Sequence, residues 1–257
     1  MPLNRPIRDW HGRRVWIVGA SSGIGAALAE ALAARGARLA LSARSRERLE
    51  AVAGRCGGAL VVPMDVTRSA DHARAAAEVQ AAFGAIDLAV FNAGTYQPLR
   101  SWELEPEAIR RTVETNLIGV MEGVAAVTGS MLERGEGAIA LVGSVAGYGG
   151  LPKAATYGPT KAALINFAEV LYLDLAPRGV DVFVINPGFV ETPLTAGNDF
   201  HMPALIKPDE AARHILDGLA RGRFEIHFPR RFSGVLKLLS LLPRRLYFPL
   251  VRRITGL

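Results

Sequence analysis

Short β-rich apolar runs alternate with alanine-rich helical stretches along most of this chain, and that alternation leaves few folds open. Candidate strands lie at 15–18, 38–41, 59–64, 86–91, 137–142, 180–185 and 223–228, with helical patterns at about 24–35, 45–54, 69–83, 106–133, 156–176 and 208–221. The strand runs are apolar at successive residues rather than at alternate ones, so both of their faces are expected to be covered. Such strands, separated by helices, predict a doubly wound α/β fold in which a parallel sheet lies between two helical layers. Ligands of sheets built this way bind beyond the carboxyl ends of the strands.

With 257 residues, half of them hydrophobic, the chain can bury one substantial core without dividing. It shows no repeat, linker or low-complexity stretch, so one domain over 1–229 and a tail over 230–257 are expected. The net charge of +6 belongs to that tail. Arg230, Arg231, Lys237, Arg244, Arg245, Arg252 and Arg253 give it +7 with no acidic residue, which leaves the body near −1. A body so balanced lacks the basic face that nucleic-acid binding requires, and none is expected. The lone Cys56 excludes a disulfide framework and fits a reducing compartment, so a cytoplasmic setting is expected. Neither a secretory leader nor a run long enough to span a bilayer is expected.

The first strand runs into Gly19-Ala20-Ser21-Ser22-Gly23-Ile24-Gly25 and then a helix. Glycines there let the backbone approach a pyrophosphate, and the helix offers free N–H groups and its positive dipole end. At the end of the second strand an acidic residue would accept hydrogen bonds from the 2′-hydroxyl of NAD. The chain instead has Ala43 and Arg44, and a guanidinium suits the 2′-phosphate of NADP. Asp65-Val66 after the third strand could hold the adenine edge, and Asn92-Ala93-Gly94 after the fourth the adenosine ribose. Further on, Tyr157 and Lys161 stand four apart on a predicted helix and so share a face. An ammonium beside a phenol lowers its pKa and makes it a competent proton donor and acceptor.

Gly19-x-x-x-Gly23-x-Gly25, Asn92-Ala93-Gly94, Asn116, Ser144, Tyr157-x-x-x-Lys161 and Pro187-Gly188 have the order and spacing of the short-chain dehydrogenases/reductases, which the chain resembles over about 12–228. The resemblance implies a seven-stranded Rossmann fold, a nicotinamide cofactor, here NADP(H), and a catalytic set of Asn116, Ser144, Tyr157 and Lys161. Tyr157 would exchange the proton and Lys161 would bind the nicotinamide ribose. Ser144 would bond the substrate oxygen, and Asn116 would hold a helix kink and a water leading from Lys161. Pro187-Gly188 would turn the chain toward the nicotinamide, with Val190 and Thr192 at its carboxamide. Val18 and the spacer Gly158-Pro159-Thr160 depart from the commonest pattern without removing a catalytic group.

The segment 189–207 is expected to cover the site, and its Phe189, Leu194, Phe200, Met202 and Leu205 fit a lipophilic small-molecule substrate. NADPH-dependent carbonyl reduction is the leading expectation. Alcohol oxidation with NADP and a non-catalytic NADPH-binding regulator are the alternatives. A homodimer or homotetramer, joined through 106–133 and 156–176, is expected on the resemblance. In the tail, short apolar pieces broken by basic pairs and prolines are expected to lie on a membrane surface or to pack on protein.

Overall fold

The computed structural model describes residues 2–198 and 200–255. Seven strands, β1 (Arg14–Val18), β2 (Arg38–Ser42), β3 (Leu60–Val61), β4 (Leu88–Phe91), β5 (Gly137–Val142), β6 (Val180–Pro187) and β7 (Glu225–Phe228), form one sheet in the order β3-β2-β1-β4-β5-β6-β7. Every pairing is parallel. The two-residue period of a strand sends neighbouring side chains to opposite faces. Val15 and Ile17 therefore enter one core layer and Trp16 and Val18 the other. Helices α1 (Gly23–Ala33), α2 (Arg46–Arg55) and α7 (Pro208–Ala220) supply the first layer. Helices α3 (Ser69–Phe83), α5 (Gly119–Arg134) and α6 (Tyr157–Leu175) supply the second. The expected doubly wound α/β/α fold is what forms.

Two boundaries moved for identifiable reasons. The third strand was expected over 59–64, but only Leu60 and Val61 pair in register with β2. Pro63 has no amide to donate, and the amides on either side of it, Val62 and Met64, reach Leu41 and Ala43 singly at 2.9 and 3.1 Å. The helix expected over 106–133 is divided into α4 (Pro106–Val113), a π-turn (Glu114–Ile118) and α5. Taken together, Pro106–Arg134 is long and apolar enough to cross a bilayer, which the sequence reading did not anticipate. It lies against the sheet, however, where a Cβ at Gly123 would meet the Phe91 ring at 2.4 Å.

The tail folds as α8 (Arg230–Ser240) and α9 (Arg244–Thr255), and its last two residues lie outside the described ones. Both helices pack on the body. Tyr247 donates its hydroxyl to the Gly150 carbonyl at 2.8 Å, and Tyr247, Val251 and Leu239 bury themselves against Leu151. Glu225 on β7 accepts from Tyr148 at 2.5 Å, from Asn186 at 2.9 Å and from the Lys237 ammonium of α8. Burial alone would raise the Glu225 carboxyl, but these three donors outweigh it and hold the group below its ordinary range.

Candidate active site

The strand order reverses between β1 and β4, and a cavity of about 550 Å³ opens over the carboxyl ends of the strands there. Of the residues expected at a nucleotide site, Gly19, Ser21, Ser22, Gly23, Ile24, Arg44, Asp65, Val66, Asn92, Ala93, Gly94, Pro187, Gly188, Val190 and Thr192 line it, together with Ser144, Tyr157 and Lys161. Gly25 and Asn116 do not line it. Gly25 sits behind the wall, where a Cβ would lie 2.2 Å from the Gly19 carbonyl oxygen. Its work is to let α1 press onto the turn.

The turn is held by short-range contacts. Gly19 has φ +90°, and a Cβ on it would meet the Ala93 amide nitrogen at 2.4 Å, so only glycine fits. The Asn92 side-chain amide donates to the Gly19 carbonyl at 2.7 Å. Asn92, expected at the adenosine ribose, thus spends a donor on fastening the glycine turn to β4.

Arg44 and Arg48 both stand exposed at the cavity wall, near Asp65. Burial works to raise Asp65, but the amide and hydroxyl of Thr67, with Arg44 and Arg68, prevail and hold it below its ordinary range. Arg48 went unread in the sequence, although it follows Arg44 by four residues and reaches the cavity from the first turn of α2. Thr95, Arg111 and Thr115 also line the cavity unforeseen. The last two are four apart on the α4 and π-turn segment, a spacing that could have found them.

At the other end, β5 runs into Ser144, whose extended backbone starts a single 3₁₀ turn and whose Oγ accepts from the Ala146 amide at 3.1 Å. Tyr157 opens α6 and lies half-buried, with its phenol hydrogen-bonded to Ser144. The Tyr96 ring meets it edge-on at 4.9 Å between centroids, a neighbour not foreseen. One turn on, Lys161 is only 3% exposed; its Nζ lies 5.5 Å from the Tyr157 ring centre and donates to the Val142 carbonyl at 2.8 Å.

The proton affinities differ from the expectation. Desolvation pushes the Tyr157 phenol up to about 12, although the Ser144 bond pulls it down. Desolvation likewise brings Lys161 down to about 8. The anticipated lowering of the phenol by the ammonium is therefore not the net result, because burial disfavours the charged form of both groups.

Asn116 is fully buried in the π-turn, where its Oδ1 accepts from the Thr95 amide at 2.7 Å and its Nδ2 donates to the Thr95 carbonyl at 2.8 Å. The side chain ties the distorted helix to the loop after β4. That distortion is the kink expected at this position.

Positive-φ glycines where a backbone must come close, free amides at a helix start, two cations and the hydroxyls of buried Ser144 and half-buried Tyr157 suit a dinucleotide with its reactive ring toward Tyr157. Fold and cavity thus define the class: a Rossmann-type oxidoreductase that uses a nicotinamide cofactor. The family model of short chain dehydrogenases matches residues 13–201, and the chain belongs to the short-chain dehydrogenases/reductases. It is an NAD(P)-dependent dehydrogenase or reductase. An uncharacterized oxidoreductase of Myxococcus xanthus is 35% identical over 94% of this chain and 97% of its own length. The 3-oxoacyl-[acyl-carrier-protein] reductase FabG of Escherichia coli is 36% identical, covering 73% of this chain and 77% of its own. Among solved structures, a short chain dehydrogenase from Burkholderia cenocepacia in complex with NADP superposes with a TM-score of 0.83 at 28% identity, over 95% of this chain and 99% of that one.

Proposed function

We propose that this enzyme uses NADPH to reduce a lipophilic ketone or 3-oxoacyl group to an alcohol. The observation that carries the reading is the single cavity with Arg44 and Arg48 at one end and Ser144, Tyr157 and Lys161 at the other. The two guanidinium groups take the 2′-phosphate. Bound nicotinamide supplies the hydride. Ser144 bonds the carbonyl oxygen and stabilises the charge that builds on it. Tyr157 passes its proton to that oxygen. A phenol kept protonated to about 12 holds its proton ready for transfer at neutral pH. Lys161 holds the ribose hydroxyls and, charged at neutral pH, offsets the phenolate left behind. Asn116 positions the Thr95 loop beside them.

The likeness to FabG and the apolar cover support the substrate class. Leu194 lines the cavity, and the Phe200 ring packs on Phe189 at 5.9 Å. Exposed Ile109 and Met121 on α4 and α5, and Val170 and Leu173 on α6, support a homodimer through those helices. We place the enzyme in the cytoplasm, with its tail able to reach a membrane face. The test is NADPH oxidation across ketones, 3-oxoacyl thioesters, steroids and quinones, with NADH in parallel. Turnover with a lipophilic ketone or 3-oxoacyl thioester, faster with NADPH, is expected. Turnover with none of them, or with NADH alone, overturns the reading.

A further inference from the structure

The tail packs on the body with one face and leaves another bare. Inward, α8 sets Phe232 against Phe189 at 5.8 Å between rings, and α9 seats Tyr247 and Val251 on Leu151. Outward, the spacing 231, 235, 238 brings Arg231, Val235 and Leu238 to one face of α8, and Leu241 continues it. Leu238 is 67% exposed and Leu241 80%. On α9, Leu246 and Ile254 are 59% and 63% exposed, and Phe248, on another side of the helix, is 56% exposed. Of the seven tail cations, Lys237 is paired with Glu225 and Arg244 lies over the Tyr247 ring. Arg230, Arg231, Arg245, Arg252 and Arg253 form no ion pair among the described residues.

We propose that this outer face docks on an anionic bilayer surface. A helix of 11 or 12 residues is about 17 Å long, too short for a hydrocarbon core of about 30 Å, and Pro243 separates the two helices. They can only lie along the interface, with leucines in the acyl boundary and arginines among headgroup phosphates. A second copy of the chain is the poorer occupant. A two-fold contact sets a patch against itself, so five unpaired arginines would face five more. Lipid phosphate complements them instead.

Docking would also bring the site to the lipid. The tail's inner face touches Gly150 and Leu151, downstream of Ser144, and Phe189, which follows Pro187-Gly188. A lipophilic substrate could then arrive from the bilayer. This last step rests on the proposed reduction; the docking does not.

The full chain is to be floated with vesicles of mixed phosphatidylcholine and phosphatidylglycerol, and with phosphatidylcholine alone. Flotation is expected with the mixed vesicles only, weakening in high salt. Removing the tail risks exposing Leu151 and unpairing Glu225, so the variant of choice is Leu238→Glu/Leu241→Glu/Leu246→Glu, which changes only exposed side chains. Its floated fraction should fall at least about tenfold, with unchanged NADPH oxidation on a soluble ketone. The proposal is overturned if the native chain stays at the bottom or the triple variant floats as well. It is equally overturned if the triple variant halves the native mass in solution, since the face then joins two copies. A chain that floats but reduces no ketone refutes the proposed reaction and leaves the docking intact.

Discussion

One end of the cavity is walled by the glycine turn and two exposed guanidinium groups, Arg44 and Arg48. The other end is walled by Ser144 and Lys161, both buried, and by the half-buried Tyr157. On the proposed function the first end works through shape and screened charge, so its side chains can be exchanged at modest cost. The second works through groups whose proton affinities are displaced by burial, and each displacement depends on its neighbours. If this contrast holds, a change at one end should leave the other end's readout nearly untouched.

The largest effect is expected from Tyr157→Phe. It removes the proposed proton donor and keeps the ring on Tyr96, so kcat should fall about 10²- to 10⁴-fold, the range of a lost general acid. NADPH affinity, read by fluorescence titration, should stay within a fewfold of the native value. Joint loss of turnover and cofactor binding would mean that the two ends are one unit.

A smaller and opposite split is expected from Arg44→Asp. A charge-assisted contact with a 2′-phosphate is worth about 1.5–3 kcal/mol, so the NADPH to NADH ratio of kcat/KM should move roughly ten- to a hundredfold toward NADH. Arg48→Gln should shift it the same way by less, because Arg44 remains. The best NADH rate should stay near the native NADPH rate. An unchanged ratio in both variants would remove these arginines from cofactor choice.

The same contrast explains what could be read from the chain alone. Strands such as β5 and β6 were legible because burial on both faces demands unbroken apolar runs, which local sequence displays. The glycine turn was legible because its geometry is local too. The docking of Tyr247 on Gly150 spans 97 residues, and nothing in the local pattern of either segment announces it. Asn92 lines the expected wall, but its bond to Gly19 was not legible, since it depends on β1 and β4 being neighbours. The direction of the Tyr157 shift was missed for a similar reason. The helical spacing shows that Lys161 is near, but how far both groups are dehydrated depends on the strands and loops around them.

The smallest effect isolates that dehydration. Burial holds Lys161 near 8, below its ordinary 10.5. Below about pH 8 the ammonium is charged in both the native and the unfolded chain, so this group gives stability no slope. Between about 8 and 10.5 the native chain has released a proton that the unfolded chain still binds, and stability therefore rises with pH. Tyr157 acts in the opposite sense. Above its ordinary 10 and up to about 12 the native phenol keeps a proton that the unfolded one loses, so stability falls. Lys161→Met removes the first slope and leaves the second. Urea midpoints measured from pH 7 to 10 should show the native protein gaining on the variant above pH 8, where below it the difference is constant. A difference that stays flat up to pH 10 would mean that Lys161 keeps its charge in the folded protein. The reactive end would then be governed by solvated charge, as the nucleotide end is.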